Sequence, residues 1–238
     1  MAGVSRLQYT PEIKTVRIMC TGRIDPATVA RSFKKGLDGL MVVGCYFGDC
    51  HYISGNVQAK AKIDMTRRLF KHIGVNEERL AFRQCSSGEA AVFVKLVTEF
   101  DEKIRSLGPL GEDGDRVKAP DIFGKLEAAE AVLAGEKLRW VIGKRTPFLE
   151  SGNMYGEIFT EHEFNRAIDM IIVEEMEVQE ILGKLKQGAK SVQDLARDLA
   201  IPSERVFRYI TALNRKGMVA LDSVAGRSPI FQFVTQEV

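Results

Sequence analysis

Two textures follow one another along the chain. From Val16 to about residue 107, short apolar runs alternate with longer stretches whose apolar residues recur at three- and four-residue steps. Val16-Arg-Ile-Met-Cys20 predicts a first strand. Asp25-Pro26 is an N-cap followed by proline at the first helical position, so a helix is expected to about Lys35, stopping at Gly36. Gly39-Leu-Met-Val-Val-Gly-Cys45 is apolar throughout, the pattern of a strand buried on both faces of a parallel sheet. A loop over residues 46–54 feeds a helix with Val57, Ala61, Met65, Leu69 and Ile73 on one face, closed by Gly74. Arg79-Leu-Ala-Phe-Arg-Gln-Cys85 predicts a third strand. Residues 86–89 then open a helix with Phe93, Leu96, Phe100, Ile104 and Leu107 inward. Such alternation specifies right-handed βαβ units.

The pattern changes at Gly108-Pro109-Leu-Gly-Glu-Asp-Gly-Asp115, whose glycine and acid content reads as a linker. Residues 122–172 read as helical but weakly patterned, with breaks at Pro147 and Ser151-Gly152-Asn153, a connector that packs on something else. Periodicity sharpens again with a helix over residues 177–187. Ser191-Val-Gln-Asp194 is a cap pattern opening a short helix. Ile201-Pro202-Ser203 turns into a longer one with Val206, Ile210 and Leu213 inward, and two strands follow at residues 218–221 and 230–234. Helix, helix, turn, helix and β-ribbon is the order of a winged helix-turn-helix. The expected fold is α/β: a small parallel sheet flanked by helices over residues 1–108, a linker and helical connector over 109–172, and a winged helix over 173–238. No internal repeat is visible.

Composition narrows the class. Apolar content of 45% and charged content of 28% belong to a globular chain, which excludes disorder and low complexity. No apolar run approaches the ~18 residues a membrane helix needs, and the start has no signal-peptide core, so a cytoplasmic protein without a membrane span is expected. The net charge of +2 conceals blocks. Residues 1–110 carry 17 Lys/Arg against 11 Asp/Glu, and residues 111–176 carry 8 against 14, so basic and acidic surfaces follow one another. Residues 177–238 carry 9 against 7, too even a balance to announce nucleic acid by charge.

Four cysteines in 238 residues are too few for a disulfide scaffold, so clustered thiols point to metal or redox chemistry. Cys20, Cys45 and Cys85 each fall at the carboxyl end of a predicted parallel strand, and Cys50 lies in the loop after the second. In an open α/β sheet those ends form one edge, where ligands bind. Thiolates select iron–sulfur clusters, zinc or copper(I). Cys45-Tyr-Phe-Gly-Asp-Cys50 has the C-x4-C spacing found in one arm of plant-type two-iron clusters. Gly44 and Gly48 would let backbone N–H groups approach the sulfurs.

Several segments, in order and with matching spacing, resemble the delta, or iron–sulfur, subunit of the methyl-viologen-reducing hydrogenase, which partners heterodisulfide reductase. They are Ala2-Gly-Val-Ser-Arg-Leu-Gln-Tyr9, Val16-Arg-Ile-Met-Cys-Thr-Gly-Arg-Ile-Asp25, Gly39-Leu-Met-Val-Val-Gly-Cys45, Gly48-Asp-Cys-His-Tyr52 and Gly55-Asn56. The likeness covers residues 1–108. It implies a [2Fe-2S] cluster that passes electrons between a hydrogenase or formate dehydrogenase and the flavin subunit of a heterodisulfide-reductase-like complex. By the match, Cys20, Cys45 and Cys50 take the family's cysteine positions. Members of the family usually carry a further strand ending in C-x2-C just before the Ala-Gly-x-Ser-Arg segment, which here follows Met1 directly. Two expectations arise: a start that lies upstream, or Cys85 in place of a lost ligand. The first is preferred, because losing a strand leaves an open sheet edge.

Other polar residues rank lower. His51 adjoins Cys50 but reads as a solvated loop histidine. Arg23 and Asp49 flank the same edge, and Arg6 is placed for docking a partner. Glu161-His162-Glu163 has metal-ligand composition, yet three consecutive helical residues face different ways, so a surface face is expected. No G-x-G fingerprint for a nicotinamide or flavin occurs. On the predicted third helix of the winged module Glu204, Arg205, Arg208, Thr211, Ala212 and Arg215 point outward, with Lys216 and Arg227 nearby. Protein docking is preferred there over DNA. The leading expectation is thus an electron-transfer subunit that performs no bond-making itself; the rivals are a redox-responsive transcription regulator and a structural metal site.

Overall fold

Helix α2, Gly55–Ile73, is the spine of the N-terminal part of the chain. Its predicted stripe of Ala61, Met65, Leu69 and Ile73 is buried, and so is a second set comprising Ala59, Ile63, Thr66 and Phe70. A helix buried on two sides lies between layers. One layer is the sheet; the other is built by α1, Pro26–Lys34, and α4, Asp121–Ala134. Asp25 caps α1 by accepting from Ala27 N (3.3 Å), with Pro26 at the first helical position. Phe33 of α1 meets Phe70 of α2 edge to face at 4.9 Å. Gly74 closes α2 in the left-handed conformation (φ 92°), and a Cβ there would lie 2.5 Å from Val117, so glycine is required twice over.

The computed structural model describes residues 6–234. Its first sheet pairs β1, Leu40–Gly44, in parallel with β2, Leu80–Gln84, in register Leu40↔Leu80 to Gly44↔Gln84. α3, Ala90–Leu107, follows β2. Two expectations are corrected here. Residues 16–20 form no strand: Val16 is 82% and Met19 74% exposed, and without a partner among the described residues the β-branched run has no ladder to join. Nor is β1 buried on both faces; Val42 and Gly44 are buried while Leu40, Met41 and Val43 are partly exposed. The hydrophobic face of α3 is likewise only half covered, with Ala90 and Val97 fully buried.

Composition marks residues 108–115 as a linker, but they form a packed loop. Leu110 and Asp115 are buried, and Asp115 receives the guanidinium of Arg79, itself fully buried. The helices that follow pack back on this part of the chain. α4 lies along α1, and Glu130 takes both Arg31 and Lys34 at 2.7 Å. α5, Glu136–Gly143, and α6, Arg145–Glu150, come next. Pro147 sits in the first turn of α6, where a missing N–H costs nothing, while Ser151 and Gly152 (φ 85°) do end it.

α7, Glu161–Lys186, begins well before the residue 177 that periodicity suggested. Its start is a capping box: Thr160 Oγ1 accepts from Glu163 N (3.2 Å) and Glu163 Oε2 accepts from Thr160 N (2.8 Å). Glu163 is therefore a cap, and Glu161 pairs with Arg145.

The chain divides into two compact units, up to Ile172 and from Val173, the division falling within α7. The second unit continues from α7 through β3, Lys190–Ser191; α8, Val192–Leu199; α9, Ser203–Arg215; β4, Val219–Ala225; and β5, Ser228–Phe233. Its antiparallel sheet has the order β3-β5-β4. Ser191 caps α8 by accepting from Asp194 N (3.1 Å). Leu182, Leu195, Val206, Ile210, Leu213 and Val219 are among its core residues. Among the described residues, no helix is long and apolar enough to cross a membrane.

Candidate functional site

Cys20 ends an extended segment and caps a 3-10 turn, Thr21–Arg23, its sulfur accepting from Gly22 N at 3.4 Å. The turn is tied to α2 by Lys62, whose Nζ donates to Gly22 O (2.8 Å) and Ile24 O (3.2 Å). That brings Gly22 against Gly55, the first residue of α2. A Cβ on Gly22 would lie 3.0 Å from both the Cα and the carbonyl oxygen of Gly55. A Cβ on Gly55 would lie 2.4 Å from Cys20 Sγ and 3.5 Å from Cys50 Sγ. Two glycines thus form a cradle, and two sulfurs from stretches thirty residues apart lie in it.

Cys50 reaches the cradle from the loop after β1. Its thiol is lowered from the ordinary cysteine range, first by the backbone N–H of Asn56 and further by the N–H groups of Tyr52 and Gly55 and by the Cys20 thiol, against a smaller upward push from burial. N–H groups at a helix start favour a thiolate, since they carry partial positive charge. Cys45 is exposed at the carboxyl end of β1. Its carbonyl oxygen accepts from Asn56 Nδ2 (3.1 Å) and Gln84 Nε2 (3.1 Å).

Cys85 has different surroundings. Its N–H extends the ladder to Gly44 O (3.0 Å), and its buried thiol donates to Ser86 O (3.3 Å) and Glu89 O (3.5 Å). Burial, reinforced by the charge of Glu89, pushes this thiol up. The structure therefore brings Cys20 and Cys50 together and gives Cys85 an environment that keeps its proton. Among the described residues no three His, Cys, Asp or Glu side chains converge as ligands. His51 packs edge to face on Tyr52 at 4.9 Å and is exposed, as are Arg23 and Asp49. Arg6 is exposed too; residues 2–5 of the segment it closes lie outside the described residues.

Sequence reasoning overlooked the supports. Asn56, Lys62, Gln84 and the Gly22/Gly55 contact are invisible to a search for ligating residue types. An asparagine one residue inside a helix start, straight after a glycine, is a signal that could have found Asn56, but Lys62 and Gln84 carry none. Chemically, the cradle fits a soft metal or cluster: two sulfur donors lie where no Cβ intrudes, and Gly22 N–H donates to one of them at 3.4 Å.

The family model described as methyl-viologen-reducing hydrogenase, delta subunit, matches residues 1–108. The chain is 39% identical over 109 residues to the D-type iron-sulfur subunit of the F420-non-reducing hydrogenase of Archaeoglobus profundus, covering 46% of this chain and 80% of that one. The corresponding iron-sulfur subunit of the vhc F420-non-reducing hydrogenase of Methanococcus voltae is 37% identical over 108 residues, 45% of this chain and 75% of that one. The A-type subunit of the ferredoxin:CoB-CoM heterodisulfide reductase of Methanosarcina mazei is 37% identical over 113 residues, which is 48% of this chain and only 14% of that much longer polypeptide. Through the segment that carries the glycine cradle and its two sulfurs, this chain belongs to the family of the methyl-viologen-reducing hydrogenase delta subunit.

Proposed function

We propose that the protein is an electron-transfer iron–sulfur subunit. In this reading Cys20, Cys45 and Cys50 hold a [2Fe-2S] cluster that relays electrons between a hydrogenase or formate dehydrogenase and the flavin subunit of a heterodisulfide-reductase-like complex. The observation that carries it is the pair Cys20–Cys50 beside Gly55 at the start of α2, where the Cys50 thiol is lowered. Relatives named as iron–sulfur subunits support the cofactor, and a heterodisulfide reductase polypeptide containing the same module supports the partner. A bound cluster supplies a site that gains and loses one electron at a time. The chain's own part is to hold the sulfurs as thiolates and to offset their charge with backbone N–H groups. Exposed Val16, Met19, Phe47 and Ile53, adjoining the cysteines in sequence, offer apolar surface for a partner. We leave Cys85 out of the ligand set because its thiol is engaged with two carbonyls.

Residues 109–172 are read as a connector and 173–238 as a winged helix that docks protein. Supporting the winged helix is the run α7, β3, α8, α9 and hairpin with sheet order β3-β5-β4. Docking is favoured over DNA because Arg205 is bound to Glu177 (2.7 Å) and Phe207 stands 57% exposed on the outer face of α9.

Anaerobic purification, or reconstitution with ferrous iron and sulfide, tests the proposal. Visible charge-transfer bands, a reducible paramagnetic signal and about two irons per chain are expected, all lost in Cys20→Ser and Cys50→Ser. Zinc without visible bands would overturn it. Tight, salt-sensitive binding to one specific duplex in a mobility-shift assay would favour a transcription regulator instead.

A further inference from the structure

Asn56 is the second residue of α2 and only 1% exposed. Its Nδ2 donates to Tyr46 O (2.7 Å) and Cys45 O (3.1 Å), and its Oδ1 accepts from Val57 N (2.8 Å). The residue before it, Gly55, lies against the Cys50 sulfur, 3.5 Å from its would-be Cβ, and the Asn56 backbone is the largest influence lowering the Cys50 thiol. An asparagine amide has two N–H donors, and both are spent on carbonyls at the exit of β1. The amide cannot be reversed, because a flip would set Oδ1 against those two oxygens.

Other ties on the loop this residue spans include Phe47, stacked on Phe82 at 6.4 Å, and Gln84 Nε2, which donates to Cys45 O (3.1 Å). Residues 45–49 and 51–54 are exposed, and the loop's internal backbone bonds are local turns such as Asp49 N to Tyr46 O (3.1 Å) and Ile53 N to Cys50 O (2.9 Å). Gly48 (φ 92°) and Ile53 (φ 68°) both adopt left-handed backbone. With so little of its apolar surface covered, a surface loop of this kind opens readily when a polar tie is lost.

We propose that Asn56 is the positioning residue of the cysteine loop, hooking the end of β1 to the start of α2 so that the backbone at Cys45 and the sulfur of Cys50 are held at fixed places. The role in cluster binding rests on the function proposed above; the clamp itself needs no cluster. Aspartate has the same size and the same acceptor for Val57 N–H, yet no N–H for the carbonyls. Glutamine is one methylene too long for the same spot. Gln84 Nε2 adds a second hook on Cys45 O, but it leaves Tyr46 O untouched.

The test compares the full-length chain with Asn56→Asp, Asn56→Ala and Cys50→Ser by two measurements. Hydrogen exchange of the cluster-free proteins is expected to quicken at least about tenfold across residues 45–54 in both Asn56 variants, with β2 and α4 protected as before. After anaerobic reconstitution with ferrous iron and sulfide, iron per chain is expected to fall by half or more. The midpoint potential of the remainder is expected to move lower, because an N–H drawn away from sulfur no longer favours the more negative reduced state. Unchanged loop exchange overturns the clamp. Faster exchange with wild-type iron content and potential overturns the positioning role while leaving the cluster reading intact. Loss of protection throughout both variants reduces Asn56 to a general folding residue and also overturns it. If wild type takes up no more iron than Cys50→Ser, the cluster reading falls together with the positioning role, and exchange still decides the clamp.

Discussion

Arg79 and Asp115 meet with both side chains wholly buried, Nε donating to Oδ1 (3.1 Å) and Oδ2 (3.0 Å) and Nη2 lying 2.9 Å from Oδ2. The remaining donors of the guanidinium reach Asp38 O (3.0 Å), Pro109 O (3.0 Å) and Leu107 O (3.3 Å). The carboxylate also accepts from Asn76 N (2.7 Å) and Gly111 N (2.8 Å). Each charge is met by several partners, so the pair fastens the start of β2, the end of α3 and the loop before α4 to one another. Removing one partner leaves the other charged and buried. Asp115→Ala and Arg79→Met are each expected to lower stability by about 3–5 kcal/mol, read from urea unfolding followed by circular dichroism. Arg79→Lys should recover little, since an ammonium cannot span five acceptors. A loss under about 1 kcal/mol would show that the pair behaves as a surface bridge.

The glycine cradle makes a sharp contrast between two positions. Gly55→Ala places a methyl where Cys20 Sγ sits, 2.4 Å away, whereas Gly88 has no atom within 4 Å of its would-be Cβ. Gly55→Ala is expected to abolish iron uptake, and Gly88→Ala to leave it unchanged. Iron per chain after reconstitution decides. Retained iron in Gly55→Ala would mean that Cys20 is not held at the cradle.

Thiol reactivity should separate Cys50 from Cys85. N–H donors hold the Cys50 thiol below the ordinary range, while burial and Glu89 hold Cys85 above it. In the cluster-free protein at neutral pH, iodoacetamide should label Cys50 well before Cys85, as peptide mass spectrometry would record. Raising the pH should narrow the gap, because the Cys85 thiolate appears only at higher pH. Equal labelling across the range would contradict the two environments.

Tyr209 gives the second unit an alkaline limit. Burial, then its hydrogen bond to Glu177 Oε2 (2.7 Å), pushes its phenol up to about 12. An unfolded tyrosine releases its proton near pH ~10. Between those values the unfolded chain has lost a proton that the folded chain keeps. The stabilisation is therefore complete below pH ~10 and fades as pH rises toward the folded value. Thermal unfolding of the full chain from pH 9 to 11.5 should show a fall in stability of the second unit that Tyr209→Phe lessens. An identical pH slope in the variant would remove Tyr209 as the cause.

Local patterning identified most helices, because caps and periodicity act within a few residues. Asp25-Pro26 and Gly74 mark true helix ends, and Ser191 with Asp194 marks a true start. Where the outcome depended on a partner distant in sequence, the pattern was silent or misleading. Residues 16–20 read as a strand, but among the described residues no neighbour bonds to them, and residues 16–19 stay exposed. Residues 108–115 read as a linker until Arg79 and Asp115, thirty-six positions apart, bind each other in the interior. The cysteines were legible as residue types suited to soft metals, and their family was legible in short ordered motifs.

The sequence by itself determined which side chains are thiols, where helices begin and end, and to which family the first 108 residues belong. Only the tertiary structure decided that Cys20 and Cys50 share one cradle, that Cys85 turns to its own carbonyls, and that Asn56 spans the loop. Caps and periodicities are properties of neighbours along the chain, whereas a sulfur's surroundings are set by contacts the backbone makes across dozens of residues.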